Sequence, residues 1–128
     1  MGAAIYPPPV AAAPSPVTVT SGVTATSGFS VNNCFLTSIN GVATIKVDFA
    51  VKTAMSAGST APYNLADTVI GTLPDGWGPR ATMTALYSTG YADGECDITS
   101  NGDITIRTTN TYPISVGETV RVSCTYVL

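Results

Sequence analysis

The chain contains no histidine. A Ser-His-Asp or Cys-His arrangement therefore cannot be built, and zinc loses one of its two commonest ligands. Charge is equally scarce. Asp, Glu, Lys and Arg make up 10% of the residues, where a globular domain usually carries about a quarter. The five basic residues, Lys46, Lys52, Arg80, Arg107 and Arg121, stand singly. Nucleic acid needs a clustered positive footprint, which net charge −3 and this spacing do not supply. No Gly-x-x-x-x-Gly-Lys run is present to cradle phosphate. No apolar run is long enough to span a bilayer, so membrane insertion is not expected. Met1–Ala13 is apolar but lacks a basic start and is interrupted by Pro7-Pro8-Pro9, unlike a secretory signal. Residue 6 is Tyr, which breaks the myristoylation pattern after Gly2. No Asn-x-Ser/Thr acceptor occurs.

Cysteine is sparse as well. Cys34, Cys96 and Cys124 are widely spaced and odd in number, so they form no disulfide framework and no Cys-x-x-Cys metal pair. Either one disulfide and a free thiol, or three buried thiols, would satisfy the count. The apolar strand phase of each favours three buried thiols. Low charge does not mean disorder here, because 45% of the residues are hydrophobic. Thr, Ser, Gly, Ala and Val fill the gap, a composition that suits sheets with hydroxyl-rich faces. It also suits a surface covered by copies of itself or by a larger particle. The chain of 128 residues is long enough for one domain with its own core.

Two regions are expected: a Pro-rich arm over residues 1–16 and an antiparallel β-domain over residues 17–128. Pro7-Pro8-Pro9 and Pro14-Ser15-Pro16 impose extended, polyproline-like backbone on the arm. Ile5, Tyr6 and Val10 are its apolar anchors, either for its own domain or for a partner. From Val17 onward, apolar and polar residues alternate in short runs separated by turn signals about every ten residues. Val42–Lys52 is the clearest run, with Ala43, Ile45, Val47, Phe49 and Val51 on one face. Phe29, Val31 and Phe35 are read as packing residues of the strand before it. Asn40-Gly41 and Asn101-Gly102 are hairpin signals. No window has a helical apolar period. The pattern predicts an all-β antiparallel β-sandwich or jelly-roll-like domain.

One stretch holds the only Trp: Ile70-Gly71-Thr72-Leu73-Pro74-Asp75-Gly76-Trp77-Gly78-Pro79-Arg80. Pro74-Asp75-Gly76 is turn chemistry, with Pro presetting φ and Gly accepting positive φ. Trp77 offers a large apolar body to plug one end of a core. Leu73, Pro74, Gly76, Trp77 and Pro79 are thus read as a structural corner between two strand-rich halves.

The acidic group Asp93-Gly94-Glu95-Cys96-Asp97 is the one place where paired carboxylates arise. Glu95 and Asp97 share a strand face, which invites calcium or glycoside cleavage. A solvated strand face beside an Asp-Gly turn explains them more simply. No catalytic residues, metal or cofactor are expected, and a polysaccharide depolymerase finds no residues to carry it. Tyr87, Tyr91 and Tyr112 lie near turns, where aromatic rings can meet sugars. With Asp93, Glu95 and Asp97 they form a possible glycan contact, set against ordinary packing.

From Thr68 to the C-terminus the chain resembles a family of phage virion domains. The resemblance rests on IGTLPDGWGPRATMTALY, NGDITI and ETVRVSCTYVL. Their shared logic is a Leu-Pro-x-Gly-aromatic-x-Pro corner, a Gly-rich turn, an Asn-Gly hairpin and a terminal strand. Such domains are similar to the knobs of head fibres, tail fibres and baseplate receptor-binding proteins. The resemblance implies an antiparallel β-sandwich, usually a homotrimer, with no catalytic residues. An arm plus a knob, without a stalk, fits a capsid decoration or head-fibre protein. It would dock through Ile5, Tyr6, Pro7, Pro8, Pro9 and Val10 onto the major capsid or another virion protein. It would sit on the particle surface after assembly in the host cytoplasm. The alternative is a tail-fibre or baseplate tip that recognises host surface glycan.

Overall fold

The computed structural model describes Gly2, residues 7–107 and residues 111–128. Among the described residues nine strands are formed: β1 Val17–Val19, β2 Thr24–Ala25, β3 Phe29–Ile39, β4 Val42–Val51, β5 Thr68–Thr72, β6 Met83–Ser88, β7 Asp93–Ile98, β8 Asp103–Ile106 and β9 Thr119–Val127. No helix occurs among the described residues. The all-β antiparallel architecture is as expected. The strands form one hydrogen-bonded ladder in the order β1-β3-β4-β9-β6-β7-β8-β5-β2.

The ladder is strongly curled. Phe49 on β4 lies against Gly71 on β5, although four strands separate β4 from β5 in the ladder. A Cβ placed on Gly71 would stand 2.5 Å from the Phe49 ring and 2.6 Å from the Thr24 carbonyl oxygen. Only a residue without a side chain allows this approach. The enclosed core is formed by alternation along the strands, interrupted by register shifts in β3 and β5. Leu36, Ile45, Val47, Phe49, Ile70, Ile98, Ile104, Ile106, Val120 and Val122 are all fully buried.

Hairpins join β3 to β4, β6 to β7 and β7 to β8. At the first, Asn40 and Gly41 both take positive φ, 51° and 74°, as a two-residue primed turn requires. β5 pairs with β8, so β6, β7, β8 and β5 make a Greek key. Residues 73–82 are the crossover that carries the chain from β5 to β6. Trp77 and Pro79 are buried in this corner, as is Leu73, while Pro74 is half-buried and Gly76 exposed. The Trp77 amide donates to the Pro74 carbonyl at 3.1 Å, and Gly76 has φ 83°. Pro74 is therefore the first residue of the turn, and Asp75 holds the second position at which Pro was expected to preset φ. The Tyr126 hydroxyl donates to the Trp77 carbonyl at 2.5 Å, tying the corner to β9.

One core expectation fails. Phe35 is exposed, not packed. The β3–β4 register shifts between Val31 and Asn33. This bulge reverses the phase, so Phe29 faces inward before it, and Cys34 and Leu36 face inward after it. Phe35 is turned outward as a result.

The first two strands lie at opposite edges. β1 pairs with β3, and β2 pairs with β5 at the far end of the ladder. The run from Val17 to Ala25 thus crosses from one edge of the curled sheet to the other. Gly22, with φ 92°, lies in the crossing against Pro74.

Candidate functional site

The outer face of the sheet is where polar chemistry gathers. Cross-strand register aligns Asn33, Asp48, Arg121, Ser88 and Asp93 in a row over five strands. Two clefts flank Arg121. One, of about 450 Å³, is lined by Leu86, Tyr87, Ser88, Asp93, Glu95, Arg121 and Ser123. The other, of about 500 Å³, is lined by Asn32, Asp48, Thr89, Tyr91, Glu118 and Arg121. Asp48 Oδ2 accepts from Lys46 Nζ at 3.3 Å, and Oδ1 is buried with no partner. The Glu118 carboxylate accepts from the Ser115 amide at 3.1 Å.

The β6–β7 turn is built by Thr89, which is buried. Its hydroxyl accepts from the Ala92 amide at 2.9 Å, and its own amide donates to the Ala92 carbonyl at 2.8 Å. This closed turn presents Tyr91 to solvent at 70% exposure. Asp93 and Glu95 follow on the exposed side of β7. These three proposed glycan contacts are brought together.

The others are not. Tyr87 is 2% exposed, because alternation on β6 sends Ala85 and Tyr87 into the core. It borders the first cleft, but its side chain is buried and offers no ring face to a glycan. Asp97 is half-buried, and both its oxygens are engaged. Oδ1 accepts from the Thr84 hydroxyl at 3.1 Å, and Oδ2 faces Arg107 Nε at 3.4 Å. Arg107 also reaches Asp67 at 2.6 Å, so Asp97 belongs to a link between β7 and the loop before β5. Tyr112 is exposed but lines neither cleft. Of the arm, Pro7, Pro8, Pro9 and Val10 are exposed; Ile5 and Tyr6 lie outside the described residues.

Asn32, Asp48 and Arg121 were not legible as site residues. They come from β3, β4 and β9, and only the pairing of these strands makes them neighbours. The alternation of β4 placed Asp48 on a polar face, which is all the sequence carried. Among the described residues, no three His, Cys, Asp or Glu lie close enough to hold a metal ion.

The three cysteines are free thiols; Cys34 and Cys96 are buried and Cys124 is half-buried. Burial pushes the Cys96 thiol up to about 12, with nearby Cys124 and Asp97 adding in the same direction. Burial also raises Cys34, Cys124 and the Tyr126 phenol. A raised pKa in the folded state favours the protonated form there. The stability that this represents is complete below pH 9.0, the ordinary thiol value, and is lost as pH climbs toward 12. Urea midpoints should therefore fall above pH 9.0, and Cys96→Ala should make that fall shallower. An unchanged slope in Cys96→Ala would show that Cys96 does not carry it.

No protein-family model matches this chain, and no curated protein is a significant relative.

Proposed function

We propose that the chain is a non-enzymatic structural protein of a phage virion. In this reading it is a capsid decoration or head-fibre protein, docked through its Pro-rich arm and self-associated as a trimer. The observation that carries the reading is the state of the arm. Every residue from Pro7 to Pro16 is exposed, and the first strand-paired residue among those described is Val17. Residues 7–16 do not fold back into the core, so their Pro-rich surface is available to a partner. Proline reduces the ordering cost of docking, because the backbone is already extended. The low charge and hydroxyl-rich outer face are consistent with close packing against protein. A chain lacking residues 1–16 keeps every strand and should lose particle binding. Equal binding with and without the arm would overturn the docking role.

A second reading has its own support. Tyr91, Asp93, Glu95 and Arg121 meet around the two clefts, a set that offers a ring and both hydrogen-bonding senses to a saccharide. This fits the receptor-binding tip of a tail fibre or baseplate. Labelled protein imaged on particles separates head from tail, and a glycan array tests the sugar directly.

A further inference from the structure

β3, β4, β9 and β6 are consecutive in the ladder. Their outward side chains fall into rows set by register. Ile39, Val42 and Val127 form one row, Thr37, Thr44 and Thr125 the next, and Phe35, Lys46 and Ser123 a third. Leu86 borders the third row, sharing a cleft with Ser123. Ile39, Val42, Val127, Phe35 and Leu86 are all exposed, Leu86 at 72%. A solvent-facing sheet normally alternates polar residues outward. Here five large apolar side chains share one outer face, which is the pattern of a surface that is covered in use.

The polar groups between them suit burial. The Thr44 and Thr125 hydroxyls lie 2.8 Å apart and those of Thr18 and Thr37 3.5 Å apart. Hydroxyls that already pair with each other lose less on leaving water. The cation in these rows, Lys46, has Asp48 Oδ2 at 3.3 Å.

We propose that this face is the contact between copies of the chain. The proposal rests on the self-association read above and names the surface responsible. Charge favours a second copy over an unlike partner. The rows carry one cation, and it is neutralised within the chain, so identical faces meet without uncompensated like charge. They also offer no field to select a partner of opposite sign. At about 4.8 Å between strands and about 3.4 Å per residue, four strands over the five residues from Phe35 to Ile39 present roughly 330 Å² of flat sheet. Side-chain relief enlarges this, against the ~800 Å² per partner of a standard interface. Phe35 and Leu86 are exposed apolar side chains on this face, and the cleft beside Leu86, lined also by Asp93, Glu95 and Arg121, is a recess at its charged margin. A closed assembly needs both.

Sedimentation equilibrium of the full chain tests the proposal. The native chain should sediment as an oligomer of its 13.1 kDa mass. Phe35→Glu with Leu86→Glu should give the monomer, with far-ultraviolet circular dichroism unchanged. Val116→Glu, at an exposed loop position away from these rows, should remain oligomeric. If the double variant unfolds, Leu86→Ser carries the test, with an expected loss of at least tenfold in association constant. A native chain that is monomeric at all concentrations overturns both this proposal and the self-association beneath it. An oligomer that survives both substitutions overturns the face alone. Dissociation by Val116→Glu to the same extent overturns it as well.

Discussion

Trp77→Ala should lower the free energy of unfolding by about 3–5 kcal/mol. The residue is 9% exposed and belongs to the core cluster. Its loss removes the largest apolar side chain of the β5–β6 crossover and leaves a void beneath it. The neighbouring backbone limits collapse into that void. The Trp77 carbonyl accepts the Tyr126 hydroxyl, and the Trp77 amide closes the turn with Pro74. Arg80 also ties the corner to the residue after β9, donating from Nε to the Leu128 carbonyl at 2.6 Å. The backbone of the corner is thus fixed by bonds that alanine does not remove, so relaxation is small and the cost sits high in the usual range. Urea denaturation followed by circular dichroism measures it. A loss under about 1 kcal/mol would mean the corner is not an end-plug of the core. Particle or glycan binding by the folded fraction should not change, since Trp77 lines neither cleft and is not part of the arm.

The second large effect concerns the contact across the interior. Phe49→Ala should cost about 3–5 kcal/mol, because the ring is fully buried between β4 and β5. Gly71→Ala should cost about 1–3 kcal/mol in the native background by overpacking the same place. The two substitutions are expected to couple. In a Phe49→Leu background the ring atoms that a Gly71 methyl would strike are gone, so Gly71→Ala should become cheaper. Part of its cost should persist, because the Thr24 carbonyl oxygen stands 2.6 Å from the same methyl position. A double-mutant cycle reads this directly. Strict additivity would show that the two halves of the sheet do not bear on each other here.

Most strands were legible because their residues report their own burial. β4 alternates without interruption from Val42 to Val51, and β3 runs between a Ser27-Gly28 break and the Asn40-Gly41 turn. What a single strand cannot report is its neighbours. Asp48 and Arg121 are seventy-three positions apart in the chain, yet they are direct partners across β4 and β9. Tyr87 failed as a glycan contact for a different reason. Its polar tip suggested a surface role, while its phase with Ala85 placed it inward. Phase was the stronger evidence, since Tyr buries readily when its hydroxyl finds a partner. Phe35 reversed this error, because the bulge after Val31 is invisible to alternation read in one frame. The prolines of the arm pointed to extended backbone, whereas the exposure of every residue from Pro7 to Pro16 was not legible.

The crossing of residues 17–25 has a mechanical meaning. The arm enters the domain through β1, whose pairing with β3 involves three residues. Beyond it the same run reaches β2, which closes the opposite edge on β5 through two residue pairs. A pull on the arm is therefore delivered first to three residue pairs and then, past Gly22, to the seam of the curled sheet. The long β3–β4 and β4–β9 ladders lie behind that seam. Under load the short strands should yield before the barrel of apolar side chains does, leaving the arm attached to a domain that has lengthened without losing its centre. In single-molecule pulling from the N-terminus, this appears as a small early extension step that precedes the main unfolding event.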